Sequence, residues 1–141
     1  MSEETWHLTH TRVRYAETDQ AGVVYHSNYF IYFEMGRTDL LRALGLPYRQ
    51  VEEQLGIVLV VVDCRAKYRR PARYDDGLKI ATRIRELKLS RITFDYRILR
   101  DTDDQLLCEG ETVLAAVKNG AATRMPEPIL EACRRLGVTR E

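Results

Sequence analysis

The sequence predicts a single α+β domain over residues 1–141, with one long apolar helix lying against a curved antiparallel sheet. Three observations predict it. Residues 28–44 place apolar side chains at three- and four-residue steps, the period of a helix. From Val58 onward the period switches to two, in four successive segments separated by short turn-rich stretches. No internal repeat, low-complexity tract or Gly/Ser/Pro-rich linker divides the 141 residues, a length suited to one compact domain.

Taken in order, residues 6–15 alternate loosely (Trp6, Leu8, Val13, Tyr15) and predict a first strand. Ala16 to Asn28 is a loop rich in turn formers. Asn28 to Leu44 is then a helix of about 25 Å, striped by Tyr29, Phe33, Gly36, Leu40 and Leu44. Ser27 or Asn28 can cap its start, and Gly45 with Pro47 supplies the stop. Phe30, Ile31 and Tyr32 widen the stripe, so other elements wrap this helix. Gly36 sacrifices about 1 kcal/mol of helix propensity, which implies a close approach to the backbone there.

After a short segment, Tyr48 to Leu55, the series Val58, Val60, Val62, Cys64, Ala66, Tyr68 occupies one face of a long strand. Asp63, Arg65, Lys67 and Arg69 occupy the other, as a solvated face. Pro71 to Gly77 is a turn region. Leu78, Ile80, Thr82 and Ile84 mark a second strand, and Ile92, Phe94, Tyr96 and Ile98 a third. Asp101 to Asp104 makes a hairpin into a fourth strand, Leu106 to Val117, and Pro126 to Leu136 closes the chain as a helix. Short connections imply antiparallel neighbours, and the exposed sheet edges invite a second subunit.

Composition excludes several classes. Twenty-two Lys and Arg against 21 Asp and Glu give a net charge of +1, which argues against a dedicated nucleic-acid binder. The longest uncharged apolar stretch, Leu55 to Val62, is too short to insert across a membrane. The first residues lack a secretory pattern, and Cys64, Cys108 and Cys133 form no CxxC pair; reduced, buried thiols in a cytoplasmic protein are the expectation. His7 and His10 lack a third ligand and face opposite sides of a strand, so no metal is expected.

Unusual residues concentrate between Tyr15 and Arg37. Six aromatic residues crowd Tyr15 to Phe33 beside Glu17, Asp19, His26 and Glu34. A carboxylate and an imidazole seven residues apart precede a helix whose unpaired N–H groups suit a developing oxyanion. Spacing alone favours the plainer reading. Asp19-Gln-Ala-Gly22 fits a type I turn, and His26 fits a packing role at the helix start.

The whole string from Tyr15 to Arg37 alters the balance. It closely resembles the signature of the 4-hydroxybenzoyl-CoA thioesterase family, which includes the acyl-CoA thioesterases associated with the Tol-Pal system. The pattern Y-x-x-x-D-x-x-G-x-V-Y-H-x-x-Y-x-x-x-F-E-x-x-R matches at every position, and Tyr68-Arg-Arg-Pro-Ala-Arg-Tyr-Asp-Asp and Gly110-Glu-Thr follow in the expected places. The resemblance implies the hotdog fold, a central helix wrapped by a curved antiparallel sheet, and a homo-oligomer, either a dimer or a dimer of dimers. It implies acyl-CoA as the substrate and no cofactor. Carried over by position, the catalytic aspartate falls on Asp19, the associated histidine on His26 and a companion tyrosine on Tyr15. CoA contacts fall on Lys88, Ser90 and Arg91, and acyl-pocket walls on Tyr29, Phe33 and Tyr48. Within the same fold, dehydratases resemble one another around a G-H-F-P segment that is absent here, and a non-catalytic interaction module is the remaining alternative.

Overall fold

The computed structural model describes residues 6–46 and 48–138, apart from the side chain of Tyr48. The chain opens with β1 (His7–Arg12) and a 3₁₀ turn (Tyr15–Glu17). The loop that follows feeds α1 (Asn28–Ala43), the helix the apolar spacing predicts. Next come α2 (Tyr48–Leu55), β2 (Ile57–Tyr68), β3 (Gly77–Leu87), β4 (Arg91–Arg100), β5 (Leu106–Lys118), the short β6 (Ala121–Ala122) and α3 (Glu127–Arg135). The sheet is antiparallel throughout, in the order β1-β3-β4-β5-β2, with β6 beside β5. No helix of the described residues is long and apolar enough to cross a membrane.

The sheet curls over α1. Leu78, Ile80, Ile92, Phe94, Tyr96 and Ile98 face inward and meet Tyr32, Phe33, Leu40 and Leu41 in one core. A second tie fastens α1 to β1: Asp39 Oδ2 accepts hydrogen bonds from Thr9 Oγ1 at 2.9 Å and pairs with His7 Nε2 at 2.8 Å.

At Gly36 the sequence expectation of close approach is met. A Cβ there would stand 2.8 Å from Ile80 Cγ2 and against the buried Thr82 hydroxyl, which has no hydrogen-bond partner among the described residues. Overpacking costs about 1–3 kcal/mol, against roughly 1 kcal/mol of helix propensity regained. Gly36→Ala is therefore expected to lower stability by about 1 kcal/mol in urea unfolding. An unchanged or raised urea midpoint would contradict this packing.

Five expectations need correction. The strand after α2 does not pair with its successor; β2 crosses the sheet to pair with β5. A register shift between Val61 and Asp63 also splits its faces. Ile57 and Leu59 are buried and Val58 and Val60 exposed; beyond the shift the register puts Cys64, Ala66 and Tyr68 on the face of Ile57 and Leu59, but only Ala66 packs partly buried against the core. One extra residue in a strand swaps its faces, which period-two counting misses. Tyr48–Leu55 is a helix rather than an undefined segment. Cys64 is exposed on β2, whereas Cys108 and Cys133 are buried as expected. Finally, α1 has no side-chain N-cap: Asn28 Nδ2 instead donates to the Glu17 carbonyl at 2.8 Å.

Candidate active site

The loop between the 3₁₀ turn and α1 is built as a tight strap. Asp19 N–H donates to the Val23 carbonyl at 2.9 Å and Gly22 N–H returns to the Asp19 carbonyl at 3.0 Å. Gly22 has φ +82°, the left-handed region that glycine enters at low cost. The predicted Asp19–Gly22 turn therefore forms. Single bridges, Thr18 to Val24 and Val23 to Arg73, stitch the strap to itself and to the segment after β2.

Asp19 and His26 face one cavity of ≈ 320 Å³, whose walls include Val24, Tyr29, Tyr68 and Arg70. Asp19 is exposed, and its Oδ1 accepts the Ala21 N–H at 2.8 Å. Its Oδ2 takes no hydrogen bond among the described residues. That leaves one carboxylate oxygen available and the other held by the turn. The backbone N–H groups of His26 and Ser27, just ahead of α1, likewise have no acceptor among the described residues. Such N–H groups at the positive end of a helix suit an oxyanion.

Tyr68 closes the other side. Its hydroxyl donates to the His26 carbonyl at 3.0 Å, and its ring lies edge-on to Tyr29 at 5.3 Å and to His26 at 6.4 Å. Tyr29 is buried, with its hydroxyl accepting the Ala72 N–H at 3.3 Å. Burial pushes the Tyr29 and Tyr68 hydroxyls above the ordinary tyrosine range, so both stay neutral donors at physiological pH.

Other residues singled out in the sequence lie elsewhere. Tyr15 is 77% exposed and rests edge-on against Tyr74, because the 3₁₀ turn directs its ring outward while directing Glu17 inward. Phe33 has no exposed surface and stacks on Tyr96 in the core, centroids 4.4 Å apart. Tyr48 begins α2, but its side chain is outside the described residues. Lys88, Ser90 and Arg91 form the β3–β4 turn, closed by Lys88 N–H to the Arg91 carbonyl at 2.8 Å, and Lys88 Nζ stands 3.8 Å from Glu86. Ser90 meets Ala116, which pairs with Leu59 at the start of β2. The cavity lies at the other end of β2, beside Tyr68, roughly 30 Å away along a strand.

Sequence reasoning gave Glu17 and Tyr68 no role in the site. Glu17 sits three residues after Arg14, the spacing of a capping box, and that was its only local signal. Tyr68 reaches His26 across 42 residues, which no local pattern reveals. Glu17 is a buried carboxylate. Burial pushes its pKa up, but hydrogen bonds from the Arg14 N–H, the Tyr32 hydroxyl and the Arg14 guanidinium, with the Arg14 charge, outweigh that and leave it below the usual range. Its stabilising effect is thus full above the ordinary carboxylate range and is lost as the pH falls through the lowered value. In urea unfolding, the stability gap between wild type and Glu17→Gln should be wide at neutral pH and narrow as the pH falls below the ordinary carboxylate range and through the lowered value. A gap independent of pH would contradict an ionised Glu17.

Comparison with known proteins points the same way. Residues 13–133 match the family described as the thioesterase-like superfamily. The acyl-CoA thioester hydrolase YbgC of Escherichia coli O157:H7 is 34% identical over 106 residues, 75% of this chain and 78% of its own length. DHNA-CoA thioesterase from Staphylococcus aureus matches with a TM-score of 0.87 at 31% identity, covering 94% of this chain and 91% of that one. The 4-hydroxybenzoyl-CoA thioesterase of Pseudomonas sp. strain CBS-3 matches with a TM-score of 0.84 at 27% identity, covering 92% and 99%. With the helix-in-sheet architecture already in place, these matches decide the family: the chain belongs to the thioesterase-like superfamily and has its hotdog fold.

Proposed function

We propose that this protein is an acyl-CoA thioesterase, releasing free acid and CoA from an acyl-CoA at the cavity shared by Asp19 and His26. The observation that carries this reading is the cavity itself: a carboxylate with a free oxygen and unpaired N–H groups at a helix start share one aromatic-walled space. A thioester expels a thiolate whose conjugate acid has a pKa of roughly 8.5, so no strong general acid is needed. Asp19 Oδ2 either attacks the carbonyl carbon, forming an anhydride that water then cleaves, or removes a proton from the attacking water. In both routes the acyl–sulfur bond breaks, a water oxygen ends on the acyl carbon and a proton returns to sulfur. The N–H groups near His26 stabilise the oxyanion, and Tyr29 forms the acyl-side wall, with Phe33 of the same helix packed against Tyr96 in the core.

The active unit is a homodimer, alone or paired into a dimer of dimers. The outer edge of β2 has no strand beside it among the described residues, and Val58, Val60, Val61 and Val62 are 37–47% exposed there. Antiparallel pairing of β2 with its copy covers that stripe. It also carries the partner's Lys88, Ser90 and Arg91 to the cavity end of β2, where they hold the CoA phosphates. The free thiols fit the reducing cytoplasm.

A thiol-release assay over aromatic and aliphatic acyl-CoAs tests the function. Steady thiol production from at least one acyl class is expected, and no thiol from any of them overturns the reading. Val60→Lys with Val62→Lys is expected to convert the dimer to monomer in sedimentation and to abolish most turnover. A dimer that persists with full activity contradicts the β2 interface.

A further inference from the structure

Glu17 joins two segments of the candidate site through separate groups. Its carboxylate Oε1 accepts hydrogen bonds from the Arg14 N–H at 2.9 Å and from the Tyr32 hydroxyl of α1 at 2.8 Å. Its Oε2 accepts the Arg14 Nε at 3.0 Å and lies 2.9 Å from Nη2. Its carbonyl accepts the Tyr25 N–H at 2.9 Å and the Asn28 side chain at 2.8 Å, bracketing His26. Asp19 follows two residues later, in the strap whose Thr18 bridges to Val24.

Neither Glu17 nor its partners Arg14, Tyr25, Asn28 and Tyr32 line the cavity. The Tyr32 bond crosses from the 3₁₀ turn that opens the strap to the second turn of α1, so the carboxylate locks the strap to the same helix that the unpaired N–H groups of His26 and Ser27 precede. An apolar side chain would fill the space without fixing direction. A carboxylate bonded to three donors from two elements leaves the strap one position. Reacting groups displaced by about 1 Å lose on the order of 100-fold in rate, so such a clasp has kinetic consequences.

We infer that Glu17 is a positioning residue: its carboxylate, clasped by Arg14 and Tyr32, holds Asp19 in reach of a thioester bound at the start of α1. This rests on the reading of Asp19 as the reacting carboxylate. Gln at position 17 keeps the size but presents an amide N–H₂ to the Arg14 guanidinium, so one half of the clasp opens. The effect falls on kcat, because substrate binding does not use Glu17.

The test is a double-mutant cycle with acyl-CoA turnover and thermal melts on wild type, Glu17→Gln, Asp19→Asn and the combined variant. Glu17→Gln is expected to lower kcat about 10-fold or more with KM changed by less than about 2-fold. In the Asp19→Asn background the same change is expected to lower the residual rate by no more than about 2-fold, because its route of action has been removed. Equal losses in both backgrounds assign Glu17 a purely structural role and overturn the inference. Full kcat in Glu17→Gln with an inactive Asp19→Asn overturns the positioning and leaves the Asp19 reading standing. Full kcat in Asp19→Asn overturns both. Tyr32→Phe covers a Glu17→Gln protein that does not fold: a kcat about 3-fold lower at constant KM supports the clasp, and wild-type kcat overturns it.

Discussion

Asp19→Asn is expected to lower kcat by roughly 10²–10⁴-fold while leaving the melting temperature near that of the wild type. The substitution preserves shape and retains an oxygen to accept the Ala21 N–H that holds the turn. It removes the charge on the oxygen that faces the cavity without a partner. An amide is neither a nucleophile toward a thioester nor a base toward water, so both chemical routes stop together. What remains is the rate supplied by binding and by the N–H groups ahead of α1. His26→Ala is the informative companion: it keeps the backbone N–H but removes the imidazole, and its loss separates side-chain from backbone contributions. Wild-type turnover in Asp19→Asn would mean that the cavity carboxylate does no chemistry.

The largest expected effect on stability is at Phe33. Truncation to Ala should cost about 3–5 kcal/mol, a large share of the roughly 5–15 kcal/mol available to a domain of this kind. The ring has no exposed surface, stacks on Tyr96 with an interplanar angle of 14° and meets Phe30 edge-on at 5.7 Å. Gly110 on β5 exists for this ring: a Cβ there would strike the Phe33 ring and stand 2.7 Å from the Arg65 carbonyl. The pocket around Phe33 is thus rigid on the sheet side and collapses poorly when the ring is removed, which places the cost at the upper end. Phe33→Leu retains most of the volume and should cost less than about 1.5 kcal/mol. Urea unfolding measures both. A stable Phe33→Ala with altered acyl preference would instead make the ring a wall of the substrate site, as its sequence position implies.

Most of the fold was legible because its elements carry strong periods. The aromatic stripe of α1 and the alternation in β3, β4 and β5 each bury one face, and burial is what hydrophobic spacing records. Less was legible where long-range pairing decides. The β2–β5 ladder joins residues some 50 positions apart, and the register shift near Val62 moves its apolar residues to the other face. For α2, Val51 is the only strongly buried side chain among the described residues, and eight residues give too few turns for the period to be read. In the site, the Asp19 turn follows from local turn chemistry and the family resemblance locates His26. The outward ring of Tyr15 and the clasp at Glu17 depend on how one 3₁₀ turn is oriented, which no spacing encodes. Lys88 and its neighbours are remote from Asp19 in a single protomer, and it is the proposed dimer that would bring the partner's copy to it.

A crystal structure of Asp19→Asn with an unreactive ketone or thioether analogue of an acyl-CoA addresses the central claim directly. The account predicts the carbonyl, or its equivalent, within about 3.5 Å of the residue 19 side chain, with its oxygen toward the N–H groups of His26 and Ser27. It places the nucleotide end at the Lys88–Arg91 turn of the second subunit. The contradicting result is an analogue bound elsewhere, such as the ≈ 370 Å³ groove on the outer face of the sheet beside Trp6, Lys67 and Arg97, with the Asp19 cavity empty.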